Sequence, residues 1–323
     1  MRRLLFGLAA CWGAALAVAA TSAAADDYPN RPVHVIVGFA PGGTTDITAR
    51  LIAQSLTELW GQQIVVENRP GAATVIASEV VAQSPPDGYT LFQNSNSHVA
   101  AGLIHLHLNY DPIKSFTPIS KVLFTPNIIL VNNNVKAHTL PELIALARAN
   151  PGKLSYGNPG IGTITHLGGE LFKQMAHIDI VPVAYRGGAL SIQALISGEL
   201  PMTFNTVPEI MAQVQAGTVR PIAVTTAKRA MALPDVPTIG ETLPGYDVEI
   251  WQAWLGPAGM PAPIVAKINA GLAKVLTSPQ IQQRFADLGA QAIGSTPDEL
   301  GATMRSELAR WTQVVQVAGI KPQ

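Results

Sequence analysis

The chain has 323 residues, with 21 basic and 21 acidic side chains. This length is enough for two domains that each bury a core. A formal net charge of zero provides no basic face for nucleic acid or an anionic membrane, so we expect neither as a partner.

The first 25 residues have the layout of a secretory signal peptide. A basic start at Met1–Arg3 precedes the apolar run Leu4–Ala20, and Thr21–Ala25 supplies a small-residue cleavage site. We therefore expect secretion with cleavage after Ala25, although a membrane anchor and lipidation at Cys11 are alternatives. Removing 25 of 323 residues would leave 298 residues, with 19 basic and 21 acidic side chains. They would contain no cysteine and therefore no disulfide or thiolate site.

Short β-branched runs alternate with amphipathic helical patterns along most of the chain, which is typical of an α/β sheet. The first strand is predicted over Val33–Phe39, and the helix after it ends near Gly61. Further strands are predicted at Ile64–Val66, Tyr89–Gln93, Ile128–Val131, Leu154–Tyr156, Ile180–Tyr185, Met202–Asn205 and Ile222–Thr225. Helices are predicted at His166–Met175, Leu190–Ile196, Ile210–Gln215, Ile264–Leu276, Ile281–Leu288 and Leu300–Val317, and one opens at Thr139.

The Pro- and Gly-rich stretch Pro234–Gly245 is typical of a crossover between two lobes. We predict a discontinuous lobe 1 (residues 26–127 and 246–323) and an inserted lobe 2 (residues 128–245). Two connecting strands, near Pro126–Val131 and Thr225–Gly245, would form the hinge. Each lobe would hold a mixed, mostly parallel sheet flanked by helices.

Motifs of enzymes are largely missing. The sequence contains no G-x-S-x-G elbow, no phosphate-binding P-loop and no H-E-x-x-H metal helix. Gly160 and Gly162 begin a pattern like a dinucleotide fingerprint, but Thr165 stands where its third glycine would be. His105 and His107 lie without an acidic cluster, which favours an exposed strand or loop over a metal site. We expect no catalytic residue, metal or cofactor.

Three glycine-containing turns each follow a predicted strand and open a predicted helix: Pro41–Asp46, Asn158–Thr163 and Tyr185–Ala189. In open α/β sheets, such turns lie where ligands bind. Glycine lets backbone N–H groups approach a ligand, and a helix N-terminus favours negative charge. Each turn alone could be an ordinary connection, but three of them in two facing lobes favour a carboxylate site. The hydroxyl groups of Thr44, Thr45 and Thr163 would add donors.

Two charged residues in these turns have less obvious roles. A carboxylate at Asp46 would repel a bound anion, so we expect it to turn away and accept hydrogen bonds from backbone N–H groups of the first helical turn. Arg186 could pair with a second ligand carboxylate or could be a solvated surface residue. The sequence leaves both roles open.

Motifs along the whole mature chain resemble the Bug family, the substrate-binding proteins of tripartite tricarboxylate transporters. They are Tyr28–Pro32, Phe39–Asp46 with Ala49 and Arg50, Val65–Ala72, Pro86–Leu91, Tyr110–Pro112, Phe116–Pro118, Pro151–Leu154, His166–Leu167, Tyr185–Gly187, Pro234–Thr238, Trp254 and Pro257–Gly259.

The resemblance implies a monomeric periplasmic binding protein with a clamshell fold. Such a protein closes on a small carboxylate and delivers it to membrane permease subunits. Family members typically bind a ligand carboxylate through loop backbone and ordered water at the first glycine turn, and the opposite lobe sets specificity. The implied shared carboxylate site is Pro41, Gly42, Gly43 and Thr44, and Gly162, Thr163, His166, Tyr185 and Arg186 would line the facing lobe. Thr45, Asn158 and Asn205 complete the candidate ligand-binding residues.

Departures from the family pattern bear on the ligand. Residues 73–75 are Ala-Thr-Val where the family usually has Gly-Gly-Asn, and Asn158 and Gly188 each replace a usual serine. Asn205 stands where the family often has an aspartate, so a ligand amino group would lose a charged partner there. We therefore expect a di- or tricarboxylate or an aromatic carboxylate. A sensor that presents its closed form to a membrane receptor and a secreted hydrolase or lyase are the alternative functions.

Overall fold

The computed structural model describes residues 27–104, 107–317 and 320. The predicted signal peptide, Cys11 and His105 lie outside these residues. Within the described part of the chain, no helix is both long enough and apolar enough to cross a membrane.

Ten strands in the described residues are joined into one hydrogen-bonded path, in the order β2-β1-β3-β9-β4-β7-β5-β6, with β8 and β10 also paired to β4. Their bounds are β1 Val33–Val37, β2 Ile64–Asn68, β3 Thr90–Ser95, β4 Phe116–Asn132, β5 Ser155–Asn158, β6 Val181–Ala184, β7 Met202–Thr206, β8 Val219–Val224, β9 Glu249–Pro257 and β10 Gln291–Ala292.

The long strand β4 divides the path into two groups. Its residues Phe116–Pro126 pair with β9, whereas Asn127–Asn132 pair with β7 and β8. The first lobe is built on β1, β2, β3, β9, β10 and the first part of β4. The second lobe is built on β5 to β8 and the rest of β4. This α/β arrangement of two sheets with flanking helices is the predicted fold class.

Ten α-helices in the described residues cover the two groups of strands. They are α1 Thr44–Trp60, α2 Val75–Ala82, α3 Ser97–Ile104, α4 Leu140–Ala149, α5 Ile164–Ala176, α6 Gly188–Ser197, α7 Val207–Gln215, α8 Ala262–Leu276, α9 Pro279–Asp287 and α10 Pro297–Val317. Helices α1, α8 and α9 pack on one face of the first group, and α2, α3 and α10 pack on the other. Helices α6 and α7 cover one face of the second group. Helices α4 and α5 cover its other face, where Trp311 of α10 joins their core.

Both sheets are mixed, as the sequence predicts. Four strand ladders are parallel and five are antiparallel. All five antiparallel ladders involve β4 or β9, the strands that bring the chain across the middle of the molecule. In each lobe, four strands therefore run in one direction, β1 to β4 in the first and β5 to β8 in the second, which confirms the predicted mixed, mostly parallel sheets.

A second connection between the lobes runs beside β4. The backbone N–H of Thr225 donates to the carbonyl of Asn127 at 2.9 Å, and the N–H of Val248 donates to the carbonyl of Thr225 at 2.8 Å. The Thr225 hydroxyl donates to the Val248 carbonyl at 2.7 Å and accepts from the Asn127 N–H at 3.1 Å. Thr225 thus joins the segments by which the chain passes between the two groups of strands.

A buried polar network fixes the start of α1 on the sheet. Gln252 of β9 accepts a hydrogen bond from the Gln93 amide at 3.0 Å and donates to the Thr45 hydroxyl at 3.0 Å. Trp254 donates its indole N–H to Gln93 at 2.7 Å, and the Thr48 hydroxyl lies 2.9 Å from both glutamine side chains. These side chains are almost completely buried. Because each polar group has a partner, the network holds the first turn of α1 in one position.

The segment after β2 has a strained backbone. Ala72, Ala73 and Thr74 all have positive φ angles, of 44°, 48° and 82°. Side chains with a Cβ disfavour this region by about 1–2 kcal/mol per residue. Ala73 and Thr74 stand where the resembled family usually has glycine, which adopts this conformation without that penalty.

Replacing Gln252 by leucine should destabilise the protein, because the buried Thr45 hydroxyl would lose its partner and the Gln93 amide would lose one of its acceptors. We expect the free energy of unfolding to fall by about 2 kcal/mol. The control is Gln54→Leu at an exposed position of α1, which should change it by less than about 0.5 kcal/mol. Denaturant unfolding would measure the free energy of unfolding of both variants. If the two substitutions lowered it equally, the role of the network would be contradicted.

Replacing Ala72 by glycine should stabilise the protein. Relief of the strain outweighs the greater entropy of the unfolded chain, so we expect a gain of about 0.5–1 kcal/mol. The same substitution at Ala302, exposed in the regular helix α10, should cost about 1 kcal/mol. Denaturant unfolding would measure both variants. If both substitutions changed the free energy of unfolding in the same direction, this explanation would be contradicted.

Candidate functional site

A cavity of about 300 Å³ lies between the two lobes. The start of α1, the strand end at Ser95 and Gln252 border it from the first lobe. The starts of α5, α6 and α7 border it from the second lobe. Its lining residues are Phe39, Ala40, Pro41, Gly43, Thr44, Thr45, Ser95, Ser97, Pro159, Thr163, Thr165, Arg186, Gly187, Gly188, Ala189, Leu190, Thr206, Glu209, Ile250 and Gln252.

The first glycine turn brings the N-terminus of α1 to the cavity. Gly42 has a φ angle of 83°, in the region that favours glycine, and Gly43 is the N-cap of the helix. The first N–H groups of an α-helix have no partner within the helix. Thr44 and Thr45 are almost completely buried, so their polar groups lie in a site with little water.

Asp46 is turned away from the cavity, and its carboxylate closes the turn. One oxygen accepts the Gly42 N–H at 2.9 Å, and the other accepts from Arg50 at 2.9 Å. Burial alone would raise the pKa of Asp46, but these bonds together with one from Asn68 hold it below its usual value. Asp46 therefore bonds to the residue before the N-cap rather than to the first-turn amides expected from the sequence, and it occupies the Gly42 amide.

The second glycine turn is shaped by three side chains around it. Asn158 accepts the Gly160 N–H at 3.0 Å, and the Thr163 hydroxyl donates to the Gly160 carbonyl at 2.7 Å. His166 Nδ1 accepts the Gly162 N–H at 3.3 Å. Burial lowers the pKa of His166, which favours the neutral ring that this bond requires. Of these residues only Thr163 lines the cavity.

The third glycine turn places a cation at the cavity. The N–H of Gly187 donates to the Pro159 carbonyl at 3.3 Å, which joins the second and third turns. Arg186 lines the cavity but is exposed to solvent. The Tyr185 hydroxyl donates to Glu199 at 3.2 Å, and this residue is not part of the lining.

Direct hydrogen bonds connect the two lobes around the cavity. The hydroxyl oxygens of Thr44 and Thr206 are 2.6 Å apart, and the Thr44 N–H donates to Glu209 at 3.3 Å. Farther along, the Ile164 N–H at the start of α5 donates to Ser97 at 3.1 Å. The lobes therefore meet through the first turns of helices on both sides.

The structure places the predicted site residues in two sets. Those on the cavity lining are Pro41, Gly43, Thr44, Thr45, Thr163 and Arg186. Those that lie beside the cavity without lining it are Gly42, Asn158, Gly162, His166, Tyr185 and Asn205. Gly42, Asn158 and His166 shape the turns through the hydrogen bonds described above.

Several lining residues were missed by the sequence analysis. Thr206 and Glu209 come from the turn between β7 and α7, which contains no glycine and was therefore not considered. The pattern Thr-Val-Pro-Glu is nevertheless a helix start, with proline in the first turn and an acid after it. Gln252 was missed because β9 was not predicted.

Glu209 introduces an acidic group into this site. Burial raises the pKa of its carboxyl group, and hydrogen bonds from Asn205, Thr44 and Thr206 act in the opposite direction. Glu209 and Arg186 are the charged side chains of the lining, whose remaining polar groups are neutral. In the described part of the chain, no cluster of His, Cys, Asp and Glu could hold a metal ion.

Residues 48–320 match the family model described as "Tripartite tricarboxylate transporter family receptor". Protein BugT of Bordetella pertussis is 33% identical over 305 residues, which cover 94% of each chain.

Solved structures of similar proteins include two with carboxylates. "R. palustris Rpa4515 with adipate" is 37% identical and has a TM-score of 0.89, with 92% of this chain and 100% of that chain covered. "MatC (Rpa3494) from Rhodopseudomonas palustris with bound malate" is 31% identical and has a TM-score of 0.85, with 89% of this chain and 100% of that chain covered. Proteins of this family are substrate-binding proteins rather than enzymes, and their fold is that of periplasmic binding proteins. The chain belongs to the tripartite tricarboxylate transporter receptor family, which includes the Bug proteins.

Proposed function

We propose that the protein captures a small carboxylate in the cavity between its lobes and delivers it to the membrane subunits of a tripartite tricarboxylate transporter. The observation that carries the proposal is the N-terminus of α1, which opens into a cavity closed on its other side by the second lobe. Helix N-termini favour anions through their free N–H groups and the helix dipole. The hydroxyl group of Thr45 accepts from Gln252 and can still donate to a ligand in the same cavity.

The ligand class is supported by the similar proteins with adipate and with malate. A cavity of about 300 Å³ is at the small end of ligand sites, which suits an acid of this size. Di- and tricarboxylates and aromatic carboxylates remain the proposed ligands. The protein would act in the periplasm as a monomer, after removal of residues 1–25.

Binding would be coupled to closure of the two lobes, with boundaries near residues 127 and 246. Ligand contacts from both lobes exist together only when the lobes are closed, so the ligand would shift the balance toward the closed form. Thr225 and the adjacent part of β4 would act as the hinge, because the chain crosses between the lobes there.

A carboxylate that binds the folded protein should raise its melting temperature. At about one hundred times the dissociation constant, the expected stabilisation is about 2.7 kcal/mol. We would screen dicarboxylates, tricarboxylates, acidic amino acids and aromatic acids against the mature chain by thermal shift. Stabilisation by sugars or cations, with none by any carboxylate, would contradict the proposed ligand class.

Replacing Gly43 by valine should abolish stabilisation by the carboxylate found in that screen. The φ angle of −81° permits a side chain, but its Cβ would lie 3.1 Å from Glu209 Oε1 and its branches would fill the mouth of the turn. Gly294→Val is the matched control, because its Cβ would meet no atom within 4 Å. Both variants should fold, and unchanged ligand affinity in Gly43→Val would remove the first turn from the site.

A further inference from the structure

The carboxyl group of Glu209 lies between the two lobes at the edge of the cavity. Its Oε1 accepts the Thr44 N–H of the first lobe at 3.3 Å. Its Oε2 accepts the side-chain amide of Asn205 in the second lobe at 3.2 Å. Both oxygens are therefore held in place, and the carboxyl occupies one of the amide donors at the start of α1.

The neighbouring position 188 provides the space for this carboxyl group. A Cβ at Gly188 would overlap the Glu209 carboxyl and would lie 2.7 Å from the Asn205 amide nitrogen. Gly188 does not have a positive φ angle, so its backbone conformation alone does not require glycine. A larger residue at this position would therefore displace the Glu209 carboxyl group and the Asn205 amide.

The Glu209 carboxyl has no cationic partner among the described residues. The ion pairs of the described chain do not include it, and the nearby donors from Thr44 and Asn205 are uncharged. Arg186 lines the same cavity but is exposed. Enclosing a carboxylate without a cation is unfavourable, and a second carboxylate placed beside it would be repelled.

We propose that Glu209 is a specificity-determining residue that selects ligands with a hydrogen-bond donor, above all an ammonium group, in addition to a carboxylate. The inference rests on the proposed function, since it assumes that the cavity takes a carboxylate. A ligand ammonium group would supply the charge that Glu209 lacks, whereas the second carboxylate of a dicarboxylate would add repulsion. This preference is the reverse of the one expected from Asn205 alone, because the helix that follows β7 supplies an acid at position 209.

The test compares ligands that differ only at one terminus: γ-aminobutyrate with succinate, δ-aminovalerate with glutarate, and ε-aminocaproate with adipate. Calorimetric titration of the mature protein should show, for at least one pair, that the amino acid binds about tenfold more tightly than its dicarboxylate. Glu209→Gln keeps the shape of the side chain and removes its charge. It should remove or reverse this preference.

Two further variants separate specificity from general damage. Glu58→Gln makes the same change at an exposed position of α1 and should keep the wild-type preference. Gly188→Ala leaves the charge of Glu209 unchanged but displaces its carboxyl group, so it should weaken the preference as Glu209→Gln does. A purely structural role of Glu209 would lower the melting temperature and leave the preference unchanged, which would overturn the inference.

Other outcomes distinguish this inference from the proposed function. If dicarboxylates bind the wild type and the amino acids do not, the specificity role of Glu209 is overturned and carboxylate capture stands. If neither series binds the wild type or Glu209→Gln, the inference is again overturned. The screen of tricarboxylates and aromatic acids then decides the proposed function separately.

Discussion

The contact between the start of α1 and the turn from β7 to α7 determines the geometry of the site. Through it the Thr44 N–H meets Glu209, and the Thr44 hydroxyl lies 2.6 Å from that of Thr206. Each side of the contact is the first turn of a helix that follows a strand end. A cavity with backbone donors can exist here because each turn is also held by contacts within its own lobe.

On the first lobe, buried polar side chains hold the start of α1 in addition to the apolar packing of the rest of the helix. Gln252 bonds to the Thr45 hydroxyl, and Gln93 connects Gln252 to Trp254. Such a network is costly to bury unless every group is satisfied, and it therefore specifies one position of the helix start. The contact with the second lobe depends on that position.

The parts of the fold that depend on local pattern could be predicted from the sequence. The first turn was identified because glycine, threonine and aspartate residues follow a β-branched strand, and Gly61 ends α1 in a left-handed conformation as the pattern indicates. The first part of β4 was missed because Pro118 and Pro126 interrupt its apolar pattern. The place of those residues in the sheet is set by pairing with β9, more than a hundred residues away.

The contacts across the cavity could not be predicted from local sequence patterns either. Thr44 could be selected from its own turn, but no local signal says that the Glu209 carboxyl reaches across to it. That contact depends on how β7 pairs with β4 in the second lobe, and on which face of α7 then points toward α1. Distances between lobes are set by tertiary structure, so the sequence indicated the turns on each side of the cavity but not the charge that Glu209 brings to it.

Two departures from the family pattern, Asn205 and Gly188, have a common physical explanation in their contacts with Glu209. The side chains at positions 205 and 209 are 3.2 Å apart, so an aspartate at 205 would repel the Glu209 carboxylate, whereas Asn205 donates to it. A serine at 188 would overlap the same carboxyl group, whereas Gly188 leaves room for it. Asn205 and Gly188 therefore accommodate the Glu209 carboxyl group in the position where it lies. The charge on this side of the cavity depends on all three residues together, so no one of them indicates the ligand when it is considered alone.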